Sequence, residues 1–498
     1  MLKRNLVANY LGQGWSALMS LAFIPVYIHY LGVESYGLIG LFAVWQAWLV
    51  LLDAGMTPTL SREMARFTGG SNDRNSIRDL LRSIEVVVFF AALLIVFGAW
   101  LSADWLANSW LRTNNLSVTE VSQVFVVMGG VTSLRFMEGI YKGSIVGLQK
   151  QVLLNVVVSG IATLRAVGAV GVLIWLSPTI IAFFIWQGIT SMLSLALLAS
   201  ATYKSLPRVE RRAKFSLNAL RNIWRFASGM VAGTLTGLIL SSTDKILLSK
   251  YLTLEEYGYY TLAAAVTGVL ALAIGPVNQA FYPRFSELVS RKDEVRLNEL
   301  FHIGSQFVSV FVGSISLILV FHSSGLLLLW TGNVSLSVES AQVVSLLSLA
   351  VLIGSPIWML YLIQLANGWP ALSVISNALV ILVIVPLFYF FIPKYGASGA
   401  ALIMCLSSGI SLMLSIVLTF RRTMNDQFRL WLWRSVLLPV FAALFVNVIF
   451  FSLPLELEGN VPQLLFYLGL IGATVSISAL AAADIRSAVL YRLRLRLG

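Results

Sequence analysis

Long apolar runs broken by short polar patches fill this chain, and their lengths predict helices that cross a membrane. Spanning the hydrocarbon core takes about 20 apolar residues. About fourteen such runs stand out, near 6–30, 36–60, 83–106, 120–148, 151–176, 179–201, 223–250, 257–282, 300–330, 340–366, 370–392, 397–420, 435–453 and 462–484. The leading "MLKRN" enters the first run with no small-residue cleavage site, so that run reads as a retained span and not a signal peptide.

Composition agrees. Of 498 residues, 58% are hydrophobic and 11% charged, too few charges for a soluble chain of this length. The net charge of +12 is explained by where it falls. With the N-terminus inside, 27 of 34 cations lie in cytoplasmic segments and three outside, at Arg112, Lys250 and Lys394. Such positive-inside bias places both termini in the cytoplasm. It also gives affinity for anionic lipid heads, and it is no nucleic-acid footprint. The lone Cys405 sits in an apolar run and reads as packing. His29, His302 and His322 lack ligand spacing, and no phosphate loop or nucleophile elbow occurs. Neither an enzyme nor a bound metal or cofactor is expected.

An internal repeat organises the runs. "LGVESYG" at 31–37 returns as "LTLEEYG" at 252–258, a step of 221 residues. "GITSMLSLAL" at 188–197 returns as "GISLMLSIVL" at 409–418 with the same step. The matches bracket six spans, an even number, so the halves run parallel, as in some transporters. The predicted fold is therefore an all-α polytopic membrane protein with about fourteen transmembrane helices. It divides into an N-lobe (1–203), a cytoplasmic linker (204–222), a C-lobe (223–422) and an appended helix pair with a basic tail (423–498). Within the linker, Phe215, Leu217 and Leu220 suggest a helix lying on the inner surface. Glu34 and Glu255 fall at the outer turns, with Gly37 and Gly258 at tight re-entries.

Seven charges lie well inside predicted spans: Arg135, Lys142, Arg165, Lys245, Asp53, Glu138 and Asp244. Each costs about 2.5–3.5 kcal/mol on an insertion scale before pairing or hydration. Arg135, Glu138 and Lys142 are spaced by three and four, so they share a helix face, and Gln149 extends the stripe by a heptad. Two readings stay open. One is internal salt bridging, of Glu138 with Lys142 or Arg135 and of Asp53 or Asp244 with Arg165. The other is a hydrated cationic cavity, since four cations outnumber three acids and arginine's planar fork suits phosphate. Asn5, Asn9, Gln13, Ser16 and Ser20 line one face of the first span, either as interhelical glue or as cavity wall. Pro25, Pro58 beside Gly55, and Pro276 beside Gly275 are candidate hinges. Arg62 and Arg284 are interfacial anchors or first contacts for an anion.

The motifs "LGVESYG", "STDKILLSKYLTLEEYGYY" (242–260), "GLQK" (147–150) and "IPKYGASGAA" (392–401) carry a resemblance over almost the whole chain. It resembles polysaccharide-transport members of the multidrug/oligosaccharidyl-lipid/polysaccharide exporter superfamily, the O-antigen-type flippases. The resemblance implies a bacterial inner-membrane flippase for undecaprenyl-pyrophosphate-linked oligosaccharides, working by alternating access, with polysaccharide assembly proteins as further partners. It implies a cationic cavity for the pyrophosphate-sugar head, for which Arg135, Lys142, Arg165 and Lys245 are the candidates, with Asn9 and Gln13 on its wall. Asp53, Glu138 and Asp244 are candidates for coupling to a proton or sodium ion, because a buried carboxylate can link protonation to conformation. A lipid II flippase and a cation-coupled multidrug exporter of the same superfamily are the rivals. The cationic surplus counts against the exporter. A membrane glycosyltransferase would need a larger outside loop than the segment near 107–119.

Overall fold

The computed structural model describes residues 2–53, 55–70, 73–207, 211, 213–453 and 459–487, excluding the side chains of 2–4, 6, 217–232, 271–273, 276 and 425. Its elements are α1 (Leu2–Ala22), α2 (Ile24–Asp53), α3 (Met56–Thr68), α4 (Arg74–Trp105), α5 (Val118–Gly147), α6 (Gln151–Trp175) and α7 (Ile180–Ser205). Then come α8 (Leu217–Tyr251), α9 (Leu254–Arg291), α10 (Glu294–Thr331), α11 (Val334–Gly354), α12 (Ile357–Ala366) and α13 (Pro370–Phe420). A helix opening with π-helical turns, α14 (Phe428–Ser452), and α15 (Asn460–Ala481) complete the chain. Among the described residues there is no strand, and one isolated bridge joins Arg112 to Thr253. The protein is an all-α polytopic membrane protein.

Ten helical stretches among the described residues are long and apolar enough to cross a bilayer. Fourteen is a finer count. The 51-residue α13 is over twice the length needed for one span, and it breaks at Gly396 (φ 55°, ψ −139°) inside "IPKYGASGAA". The helices α1, α8 and α9, of 21, 35 and 38 residues, stand outside the ten. Several starts are capped as their sequences dictate. Ser117 accepts the Glu120 N–H, Asp73 that of Asn75, and Thr179 that of Ala182.

Where helices break departs from the sequence reading in instructive ways. Pro25 lies in the first turn of α2, and the break falls just before it, at Phe23. Pro58 does not break a helix: it sits in the first turn of α3, where a missing N–H costs nothing. The break there is Gly55, with φ 76°. Pro276 lies within α9, and its side chain is outside the described residues. The turn expected at Gly37 is at Gly32, with φ 78°. Gly37 and Gly258 are both helical and serve close approach instead. A Cβ on Gly37 would meet the Leu254 carbonyl, and one on Gly258 the Val33 carbonyl. Among the described residues of the linker no separate surface helix forms, and the side chains of Leu217 and Leu220 lie outside those described. Residues 213–216 are non-helical, and the helix that begins at Leu217 runs on as α8. Arg211 and the Lys214 N–H meet Asp79, and the Ser216 N–H meets Ser83, which fastens this segment to the start of α4.

The chain forms two compact units, Met1–Gly258 and Tyr259–Gly498. In the first, α5 is central and packs against α3, α4 and α7, while α1 lies on α6 and α2 on α8. The short α3 rests on a face of small residues. Gly139, Gly143 and Gly147 recur every fourth position on α5, and Thr57, Ser61 and Met64 of α3 lie over them. Glu85, 8% exposed, accepts from the Tyr141 and Tyr203 hydroxyls at 2.9 and 2.6 Å and pairs with Arg82, fastening α4 to α5 and α7. In the second unit, α10 packs against α11, α14 and α15. Asp484 accepts from Gln306 and Arg434, each at 2.7 Å, and His302 meets Ser435, so the final helix pair is held to α10 by buried and half-buried polar contacts.

Glu34 turns out to be a clasp. Its carboxylate is 6% exposed and accepts the backbone N–H groups of Asn114 and Asn115 at 2.7 and 2.9 Å. Glu34→Ala removes two hydrogen bonds to a charged acceptor, so a loss of about 1–3 kcal/mol is expected. Faster proteolysis confined to 111–117 would register it, and unchanged cleavage would refute it.

Candidate functional site

The α5 stripe assembles as its spacing dictates, with Arg135, Glu138 and Lys142 on one face of the helix. Glu138 is the buried centre at 1% exposure; its carboxylate takes Lys142 Nζ at 2.7 Å and Arg165 Nη2, from α6, at 3.3 Å. Arg165 also donates to Ser191 Oγ of α7 at 3.0 Å. Gln149 does not extend the stripe: α5 has ended, and Gln149 sits in a turn with φ 59°.

Arg135 is held differently. It donates to Gln46 Oε1 of α2 at 2.9 Å, to Gln187 Oε1 of α7 at 2.7 Å and to Ser191 Oγ at 3.3 Å. Its guanidinium lies 4.9 Å from the centre of the Phe42 ring. These acceptors are neutral, so they orient the charge without cancelling it. The pairing of Glu138 is the internal salt bridging of the first reading. One carboxylate bridges two cations, yet the cluster holds three cations to that one acid and keeps a net charge of +2. Two buried donors in it, Gln46 Nε2 and Arg165 Nε, have no hydrogen-bond partner among the described residues. Three cations against one acid give this cluster the chemistry to pair with an anion that has several acceptor oxygens.

The other candidates lie elsewhere. Lys245 pairs with its neighbour Asp244 at 3.3 Å and donates to the Ser241 carbonyl, all on α8. Asp53 accepts the Thr57 hydroxyl at 2.6 Å and its N–H at 3.1 Å, which ties the end of α2 to the start of α3. The pairing of Arg165 with Asp53 or Asp244 is replaced by its pairing with Glu138. On α1, Asn9 accepts from Asn155 of α6 at 2.6 Å and Asn5 donates to the Gln149 carbonyl, so this part of the stripe joins helices. Gln13 is exposed. Arg284 pairs with Glu287, and Arg62 with Glu63. Sequence reasoning missed Gln46, Gln187 and Ser191. Their signal was available: amides in apolar spans are costly to bury without partners.

Three comparisons place the chain among known proteins. Residues 2–289 match the family model described as polysaccharide biosynthesis protein. A putative O-antigen transporter of Shigella flexneri is 19% identical over 404 residues, covering 80% of this chain and 93% of that one. The lipid II flippase MurJ in an inward closed conformation superposes with a TM-score of 0.67 at 14% identity, over 98% of this chain and 99% of its own. An inward-facing multidrug resistance MATE family transporter of the MOP superfamily gives 0.69 at 14% identity, over 83% and 95%. At these identities the likeness shows a shared fold, the one these transporters have.

Proposed function

Because the chain belongs to the polysaccharide biosynthesis protein family, we propose that it is a flippase. On this reading it carries an undecaprenyl-pyrophosphate-linked oligosaccharide, an O-antigen or exopolysaccharide repeat unit, from the cytoplasmic to the periplasmic leaflet of a bacterial inner membrane. Both termini then lie in the cytoplasm, about fourteen helices form two parallel lobes, and the lobes alternate access. Polysaccharide assembly proteins are further partners. The observation that carries the reading is the +2 cluster on α5 and α6, in which Arg135 is oriented by amides alone.

In this mechanism the diphosphate meets Arg135 and Arg165, whose planar forks match its oxygens. Lys142, 39% exposed, is the more accessible cation. Coupling to a proton or sodium ion acts at a carboxylate among Asp53, Glu138 and Asp244. Glu138 is best placed, since neutralising it would release Lys142 and Arg165 together. The same surplus of cations argues against a cationic drug as cargo.

Arg135→Ala is expected to abolish surface glycan display in cells lacking their own flippase, with protein abundance in the membrane retained. Normal display in that strain would overturn the head-group role.

A further inference from the structure

A cavity of about 510 Å³ lies beside the cationic cluster, inside the first unit. Its walls come from α2, α4, α5, the π-helical turn at Leu106–Trp110 and the end of α8. They are overwhelmingly apolar, with Trp45, Trp48, Ile95, Phe125 and Ile246 among the lining. Leu52 and Leu94, 51% and 70% exposed, mark a rim open to the surroundings of the helix bundle.

We propose that this cavity receives the first isoprenoid units of the lipid whose diphosphate the Arg135 cluster holds, an inference that rests on the function proposed above. Three observations carry it. The cavity and the cluster share two helices. On α2, Leu41, Trp45 and Trp48 line the cavity, while Phe42 and Gln46 on the neighbouring face hold Arg135. On α5, Thr132 lines the cavity one turn before Arg135.

Second, two residues of the cavity lining carry unused donors just beneath its surface. The Thr132 hydroxyl, in a residue 2% exposed, and the Trp48 indole N–H have no hydrogen-bond partner among the described residues. A side-chain rotation on binding would present either one to the ester oxygen through which a phosphate joins its chain. Third, charge and hydrocarbon lie about one helical turn, ~5 Å, apart along α5. A prenyl diphosphate places its first carbon directly on the phosphate ester. A glycerophospholipid interposes glycerol and two ester carbonyls between its phosphate and its hydrocarbon.

Gly98 supplies the test. It lies at the open side of the cavity, and a Cβ there would meet nothing within 4 Å, so Gly98→Phe can fill the space without a backbone collision. The purified full chain in lipid nanodiscs is titrated with farnesyl diphosphate, inorganic diphosphate and dioleoyl phosphatidic acid. The wild type should prefer farnesyl diphosphate to inorganic diphosphate by at least about tenfold, from burial of the chain. Gly98→Phe should erase that preference and leave inorganic diphosphate binding unchanged. Thr132→Val, an apolar isostere at an unbonded hydroxyl, should weaken farnesyl diphosphate alone.

A preference that survives Gly98→Phe overturns the inference while the head-group reading stands. Phosphatidic acid competing as well as farnesyl diphosphate, and equally lost in Gly98→Phe, assigns the cavity to an acyl chain and also overturns it. Failure of both diphosphates to bind the wild type overturns the head-group reading, and the inference with it.

Discussion

Glu138→Gln should destabilise the folded protein by about 3–5 kcal/mol, the cost of leaving a buried charge without its partner. Glu138 is 1% exposed and balances two cations at 2.7 and 3.3 Å. Glutamine keeps the shape and can accept one hydrogen bond, but the cluster then rises from +2 to +3 in a low-dielectric setting. Lys142 can turn toward solvent; Arg165, 23% exposed, has less freedom. Pairing Glu138→Gln with Arg165→Gln restores the net charge of +2, so much of the stability should return. Thermal unfolding in detergent measures both variants. An unchanged midpoint in Glu138→Gln, or no recovery in the double variant, would count against the account.

Gly147→Leu should do comparable damage by sterics alone. A Cβ on Gly147 would collide with the Ser61 carbonyl and lie 2.7 Å from Met64 Cβ, and one on Gly143 would lie 2.9 Å from the Thr57 carbonyl oxygen. Overpacking usually costs about 1–3 kcal/mol. Here the obstacle includes backbone, which has no rotamer to yield, so the upper end is expected. Gly139→Ala is the control, because its nearest neighbour, Thr57 Oγ1, lies at an ordinary 3.5 Å. Yield of monodisperse protein should fall sharply in Gly147→Leu and hold in Gly139→Ala. Equal yields would show that α3 is not seated on this face.

What could be read from the chain follows from the range of each interaction. Helices and the α5 stripe are local, fixed by apolar run length and by spacings of three and four, and Arg135, Glu138 and Lys142 share a face as read while Gln149 falls beyond the helix end. Arg165 was expected to pair with Asp53 or Asp244 and pairs with Glu138 instead, because helix neighbours are not written in spacing. Asp53 had a local signature that went unused: Thr57 stands four residues on, across the helix-breaking Gly55. Gln46 and Gln187 escaped notice because neutral amides carry no charge to count. Of the two glycines of "LGVESYG", Gly37 was the one expected at the turn. Their division of labour, Gly32 for the turn and Gly37 for close approach, is set by Leu254, more than 200 residues away.

That close approach has the form of a symmetric dimer contact. Under the repeat step, Val33 corresponds to Leu254 and Gly37 to Gly258; Gly37 meets Leu254 while Gly258 meets Val33. Residue i touches j′ and j touches i′, the reciprocity that a two-fold axis imposes on identical subunits. Inside one chain the two sides of the contact are encoded separately, so a change in one copy is not forced on the other. Such a contact can stay symmetric while its surroundings diverge, and the surroundings have diverged: the arginines, the lysine and the buried glutamate of the cluster belong to one copy alone. A fused chain can devote one half to chemistry and keep the other as its mechanical counterpart, a division of roles closed to any true homodimer.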